Sequence, residues 1–357
     1  MGRFAFLLHP PSVDYFQLKF PWMRRLPDGW VEGAFRHVPP WVGARITGIV
    51  SPTGATAEGH FIILPWTPRL LLETPWPVTL GRLLAAGRLA EHAGAEIFGL
   101  GAYTKIAGDR GVTLNERLRM PVTTGNSYTA ATAVEGALLA AARMGMEPGA
   151  TVVTIVGATG SIGAACARVL AGQVGSLCLV ARERARLDAL REELAAGGTL
   201  VTVEPDLQRA VRQAGIVLCV SSAIEGILSP ADFASGAVVC DVARPRNVSA
   251  SLAGVRDDVL VIDGGVIAVP GEHADFGMHF GFPPRTAEAC IAETIILALE
   301  HRWEAFTLGR DISAERVREI AVLGRKHGFR LAGFRRFERA IPDEEIDAIA
   351  ARARRTA

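Results

Sequence analysis

Lysine is nearly missing from this sequence: of 38 basic residues only Lys19, Lys105 and Lys326 are lysine. An amine kept in a chain that otherwise uses arginine can shift its proton affinity on burial, which a guanidinium cannot. Lys105 is therefore a candidate for chemistry, with a surface lysine as the equally weighted alternative. Charge of one sign is also lacking. A net charge of +1 excludes the basic excess of a nucleic-acid binder. The five cysteines, Cys166, Cys178, Cys219, Cys240 and Cys290, form no CxxC pair and lie near no histidine cluster, so no metal site or disulfide framework is expected. Long apolar runs are absent too. Phe4 to Leu8 stops at His9-Pro10-Pro11, far short of the ~20 residues of a membrane span and without a cleavage-type pattern, so a cytoplasmic protein is expected. Internal repeats are missing, as are low-complexity tracts beyond the charged last residues.

What is present is a globular composition: 49% apolar over 357 residues, enough for two or three domains. The run Thr151 to Val156 is β-branched and suits a buried parallel strand; a glycine-rich turn and a helical stretch to about Leu170 follow it at once. Further strand-like runs cover Leu177 to Val180, Leu200 to Val203, Ile216 to Val220, Ala237 to Asp241 and Val259 to Ile262. Helix-period segments, Arg184 to Ala195 and Asp206 to Gln213, lie among them. This alternation predicts an α/β chain with a central doubly wound parallel (Rossmann) sheet. Upstream, strand-like pieces at Ile46 to Val50 and Phe61 to Leu64 and a helix over Leu80 to His92 imply a smaller α/β domain. An Ala-rich helix from Tyr128 to Met144 leads into the Rossmann unit, and helices are expected over Thr286 to His301 and Ser313 to His327. The expected divisions are 1–127, 128–270 and a mainly helical region 271–357 carrying Cys290.

The turn Gly157, Ala158, Thr159, Gly160, Ser161, Ile162, Gly163 lies where backbone amides and a helix N-terminus meet a pyrophosphate. Specificity for the ribose is set after the second strand, where Ala181 precedes Arg182. An arginine there grips a 2′-phosphate, so NADP(H) is the expected cofactor, with Glu183 turned to solvent. Ser221, Ser222 and Ala223 follow the fourth strand, on the nicotinamide side. Their alternative is an ordinary polar loop.

Of the thiols, Cys290 sits within about a turn of a predicted helix start, after Pro283-Pro284-Arg285, where the helix dipole favours thiolate. A packing role on the shared face of Cys290, Glu293, Thr294 and Leu297 weighs about as much on the residues alone. A resemblance tips this balance. Val122 to Ala131, Val156 to Ala164, Val180-Ala181-Arg182, Ala289-Cys290, and Phe306 to Arg310 followed by His327-Gly328-Phe329 resemble the cyanobacterial long-chain acyl-carrier-protein reductases. That resemblance implies a cysteine, Cys290 by position, that takes an acyl group from a thioester of acyl-carrier protein or CoA, and NADPH that reduces it to a free aldehyde.

Two positions depart from the family: Tyr128 replaces a histidine, and Lys105 stands where a serine is usual. The first 40 residues are unlike it as well. Candidate oxyanion donors are Asn126, Tyr128 and Lys105, from the segment that joins the domains. His273 and His279, just before the Cys290 helix, are candidate proton relays. The layout is also similar to shikimate dehydrogenases, in which a lysine is the acid/base; that resemblance implies a small hydroxy or amino acid substrate with Lys105 active and Cys290 inert. A non-enzymatic NADP sensor would need neither residue. A basic run, Lys326, Arg330, Arg335, Arg336 and Arg339, is a candidate dock for an acidic carrier protein, and Trp22, Trp30, Trp41, Trp66 and Trp76 are candidate walls of an acyl tunnel, with core and interface as the alternative.

Overall fold

The computed structural model describes residues 1–195, 197–221, 228–243, 246–249, 251–279 and 281–356, and the chain divides into two compact units. One comprises Met1–Gly125, Val269–Gly309 and Leu323–Phe329; the other comprises Asn126–Ala268, Arg310–Val322 and Arg330–Ala357.

The first unit is built on β1 (Gly2–Leu8), β2 (Trp41–Val50), β3 (Thr56–Ile63), β4 (Ile97–Leu100) and β5 (Val122–Thr123), in the order β2-β3-β1-β4-β5. Only β2 runs antiparallel to its neighbour. The central strand β1 is the short apolar run at the start of the sequence, and Phe4, Ala5, Phe6 and Leu7 are all buried. Helix α1 (Trp76–His92) offers Leu80, Leu83, Leu84, Ala86 and Ala90 to the core around Trp66 and Phe98. A second helix of this unit, Ala289–Leu299, packs against β1, β3 and β4 with every residue buried. Its two polar side chains, Glu293 and Thr294, are buried with the rest, so it presents no solvated face.

The second unit is the Rossmann domain. Helix α2 (Asn126–Arg143) precedes β6 (Val152–Val156), α3 (Ser161–Leu170), β7 (Ser176–Val180), α4 (Arg184–Ala195), β8 (Leu200–Val203), β9 (Ile216–Cys219), β10 (Val238–Asp241) and β11 (Leu260–Asp263). The sheet order β11-β10-β9-β6-β7-β8, parallel throughout, is the doubly wound order, with its reversal between β6 and β9. Alanines on α2 allow close packing on the sheet and on α3. The thiols Cys166 and Cys240 each lie 3.8 Å from an α2 carbonyl, of Ala130 and Ala133. The helix counted above at Ala289–Leu299 is α5, and α6 (Asp343–Thr356) closes the chain against α2 and β11.

The expected domain limits at 127/128 and 270/271 compare with unit limits at Gly125/Asn126 and Ala268/Val269, and residues 271–357 are shared between the units. The physical reason is α5, which is buried along its whole length and packs on the sheet of the first unit. The helix expected from Thr286 starts instead at Ala289, because Thr286–Glu288 are extended. No helix among the described residues is long and apolar enough to cross a membrane, and they contain no group of His, Cys, Asp and Glu suited to a metal.

Candidate active site

In the second unit, the carboxyl ends of β6 and β9 meet at the glycine turn. Gly157 has φ +91°, and a Cβ there would lie 2.8 Å from the Ser221 backbone. A Cβ on Gly163 would lie 2.3 Å from the Gly157 carbonyl oxygen, so α3 can start this close to β6 only without a side chain. Gly160 caps α3 in extended conformation with no side-chain cap, which leaves the first-turn amides for an anion. Asn126 Nδ2 donates to Ser161 Oγ at 3.0 Å, bringing the N-termini of α2 and α3 together. The other amide atom, Asn126 Oδ1, is buried with no hydrogen-bond partner among the described residues. Two helix N-termini, bare amides, a glycine cradle and a vacant acceptor fit a dinucleotide pyrophosphate and its neighbouring groups.

Arg182 is exposed past the end of β7 and forms no ion pair among the described residues, whereas Glu183 is exposed and paired with Arg186 at 3.0 Å and Arg310 at 3.8 Å. Of these two neighbouring charges, the arginine's is thus the one without an ion pair among the described residues. Ala181 is half-buried beside it. Ala158 is fully buried, and Thr159 and Ile162 line the same turn. Ser222 and Ala223 lie outside the described residues. Tyr128 is buried on α2.

The first unit holds the thiol. Cys290 is the second residue of α5 and 5% exposed. Gly125, at φ +70°, lies directly against it: a Cβ there would be 2.3 Å from Cys290 Cα and 2.4 Å from its Cβ. This close approach accounts for the glycine of the Thr123-Thr124-Gly125 segment, which is anchored from both sides. Thr123 Oγ1 donates to the buried Glu293 carboxylate at 2.6 Å and accepts from Thr307 N–H at 3.2 Å, and Thr124 N–H donates to the Thr307 carbonyl at 2.9 Å. Cys290 Sγ lies 3.8 Å from Glu288 Oε2.

Burial pushes the Cys290 thiol up to about 12, helped by Glu288 and Glu293 and opposed by the Lys105 ammonium and the Ile291 N–H. The expectation that the helix start favours thiolate is therefore outweighed by desolvation. High proton affinity does not single out this cysteine, since burial also takes Cys166 up to about 12 and raises Cys178 and Cys219. Its surroundings do: among the thiols with a resolved shift, only Cys290 has a lysine acting on it.

Lys105 is half-buried in a 3₁₀ turn, Ala102–Lys105, that follows β4. Ala102 opens that turn at φ +44°, a left-handed conformation that is costly for a residue with a side chain. His9, at the end of β1, holds the turn by accepting from Tyr103 N–H at 3.1 Å through Nε2. Its Nδ1 lies 2.9 Å from the Pro10 carbonyl and donates to it, which fixes the neutral tautomer. Burial lowers the His9 imidazole to about 4, against the effect of the Pro10 bond. Reading from the sequence missed His9 and Glu288 and placed Glu293 only on a packing face with Cys290, because a single ionisable residue carries no periodic signal.

Of the predicted residues, Lys105 and Cys290 fall in one unit, and Asn126, Tyr128 and the cofactor residues in the other. His273 and His279 are exposed, unlike the buried thiol. Trp66 is core, Trp76 packs on that core, and Trp22, Trp30 and Trp41 are 62%, 72% and 40% exposed. Within the basic run, Lys326 pairs with Glu300 and Arg336 with Glu345, while Arg335 binds a carbonyl of its own hairpin.

Comparison with known proteins agrees with the two resemblances in the sequence. Residues 139–263 match the model of the shikimate / quinate 5-dehydrogenase family. The chain is 32% identical over 342 residues to the aminotransferase PigE of Serratia sp., matching 92% of this chain but spanning only 39% of that protein. Against the long-chain acyl-[acyl-carrier-protein] reductase of Synechococcus elongatus it is 31% identical over 313 residues, covering 82% of this chain and 87% of the other. Among solved structures, the L-tryptophan dehydrogenase of Nostoc punctiforme aligns over 100% of this chain and 89% of its own at 12% identity, with a TM-score of 0.43. The second unit is an NAD(P)(H)-binding Rossmann domain. Taken over its length, the chain belongs to the family of the long-chain acyl-[acyl-carrier-protein] reductases.

Proposed function

We propose that this protein reduces a fatty acyl thioester, carried on acyl-carrier protein or CoA, to the aldehyde through an acyl-enzyme on Cys290, with NADPH as reductant. The observation that carries the proposal is the setting of Cys290: a thiol at the start of a buried helix, in direct contact with Gly125 and within reach of the charges of Lys105 and Glu288. A thiol so placed suits nucleophilic attack on a carbonyl, with a cation near the sulfur to balance charge as it develops. NADPH, when bound, supplies the hydride that converts the acyl group to aldehyde.

The chain's own residues divide the remaining work. Gly157, Gly160 and Gly163 admit the pyrophosphate, and Arg182 reads the 2′-phosphate. Asn126 belongs to the cofactor side, because its amide is bonded to Ser161 in the glycine turn. Lys105 is the oxyanion partner that this reading favours, since it is the cation that acts on the Cys290 sulfur. The shikimate-dehydrogenase match does not extend to Lys105, so it supports the cofactor domain alone.

The test is intact-protein and peptide mass spectrometry after incubation with palmitoyl-CoA and no NADPH. The expected result is one palmitoyl adduct, on Cys290, that disappears when NADPH is added and yields hexadecanal. Aldehyde formation with no adduct on any cysteine would replace this reading with direct hydride transfer assisted by Lys105.

A further inference from the structure

Three ionisable side chains act on the Cys290 thiol, and the structure gives each a different degree of freedom. Glu293 is fully buried and engaged by Thr123, which in turn holds Thr307, so its carboxylate is part of the scaffold. Lys105 acts on the thiol through its positive charge, which lowers the proton affinity of Cys290. Glu288 differs from both. It occupies the N-cap position of α5 in extended conformation, φ −68° and ψ 150°, yet its side chain caps no helix amide. An acidic residue there usually spends its carboxylate on the N2 or N3 amide. Here the carboxylate is instead 3.8 Å from Cys290 Sγ, and the thiol is its sole hydrogen-bond partner among the described residues. Being half-buried, Glu288 also keeps a route to solvent that the sulfur lacks.

We propose that Glu288 is the catalytic base of enzyme acylation, an inference that rests on the function proposed above. Its carboxylate takes the Sγ proton as the sulfur bonds to the thioester carbonyl carbon. The carbon–sulfur bond to the carrier then breaks, and the same proton passes to the departing carrier sulfur, so the step begins and ends with a carboxylate and one thiol. Deprotonating a thiol this deeply buried before attack is costly, because a free thiolate would stand in a desolvated site next to two carboxylates. Transfer concerted with attack avoids that state. Lys105 offsets the negative charge that passes between sulfur, carbonyl oxygen and Glu288.

The experiment follows acylation of the full-length chain by rapid-quench mass spectrometry with palmitoyl-CoA in the absence of NADPH, so hydride transfer does not enter the readout. Glu288→Gln keeps the shape and removes the base; its acylation rate at pH 7 should fall by roughly 10²-fold or more. The lost rate should return steadily as pH is raised, because the thiolate then forms without help. Glu288→Asp, which retains a carboxylate one methylene farther back, should fall between the two, and formate should rescue Glu288→Ala. Affinity for NADPH should be unchanged in all three. Acylation of Glu288→Gln within about threefold of wild type at pH 7 overturns the assignment. Faster acylation in that variant overturns it too, by showing that the carboxylate only repels the thiolate. If Glu288→Gln fails to fold, Glu288→Asp and formate rescue of Glu288→Ala decide the matter, absence of rescue with a folded chain counting against the base. Wild-type protein that makes aldehyde but never carries an acyl group removes the function proposed above and this inference together, whereas failure in the Gln variant alone removes only the base.

Discussion

At the residue scale, His9 makes stability depend on pH in a direction that can be stated. Its folded-state value is lowered from 6.5 to about 4 by burial. The unfolded chain therefore binds a proton first as pH falls, and the stabilisation present above about pH 6.5 is lost progressively down to about pH 4. At about 1.4 kcal/mol per pH unit, the loss is on the order of 3 kcal/mol. Urea unfolding at pH 7.5 and 4.5 should show a smaller difference for His9→Gln than for wild type by about that amount, and equal differences would assign acid sensitivity to other groups. Arg182 makes a second prediction. Its guanidinium has no carboxylate partner among the described residues, so Arg182→Ala should lose roughly 1.5–3 kcal/mol of NADPH binding and little of NADH binding. Paired titrations by cofactor fluorescence measure the difference, and wild-type protein with equal affinity for the two cofactors contradicts it. For the thiol, Cys290→Ser should abolish acylation and aldehyde formation, since a hydroxyl is a far weaker nucleophile at neutral pH. NADPH binding should survive, because the cofactor cradle belongs to the other unit.

At the element scale, the glycine turn and α5 each depend on a backbone approach that a methyl group would block. Gly125→Ala would place Cβ within 2.3 Å of Cys290 Cα while forcing a left-handed conformation at φ +70°. Because α5 is buried on every side and cannot retreat, the substitution should cost about 1–3 kcal/mol from strain alone and displace the thiol. Thermal unfolding and the rate of Cys290 acylation should both report it. Elements also show where sequence is informative. The strands of the Rossmann sheet are short runs dominated by Val, Ile and Leu, so all six were legible to within about a residue, as was α4 over Arg184–Ala195. By contrast, β4 is interrupted by Gly99 and β5 is two residues long, so neither stands out as an apolar run. Helix α6 is hidden in a run of charge, because only Ile346, Ile349, Ala350 and Ala353 face inward. The candidate site divides the same way. A contiguous turn such as Gly157 to Gly163 can be read from spacing, whereas the contact of Gly125 with Cys290 and the effect of the Lys105 charge on the same thiol are products of the fold.

At the scale of the whole molecule, the chain passes between the units five times, at 125/126, 268/269, 309/310, 322/323 and 329/330. Neither unit is a contiguous segment. Unit 1 cannot lose its structure without releasing both ends of Asn126–Ala268, and the helix Ala314–Lys326 has residues in both units. Unfolding should therefore be a single cooperative event. The sequence provides its own probes of this expectation, since Trp22, Trp30, Trp41, Trp66, Trp76 and Trp303 all belong to the first unit, while the dinucleotide cradle belongs to the second. A ligand that binds only the folded state stabilises by RT ln(1 + [L]/Kd), about 2.7 kcal/mol at a hundredfold excess over Kd. With NADP⁺ at that excess, denaturant unfolding followed by tryptophan emission should gain about 2.7 kcal/mol, although no tryptophan lies in the unit that binds it. Far-ultraviolet circular dichroism, which sees both units, should shift by the same amount. A tryptophan transition that stays in place while the circular dichroism splits into two steps would mean that the units unfold independently, and that their interleaved chain path does not couple them.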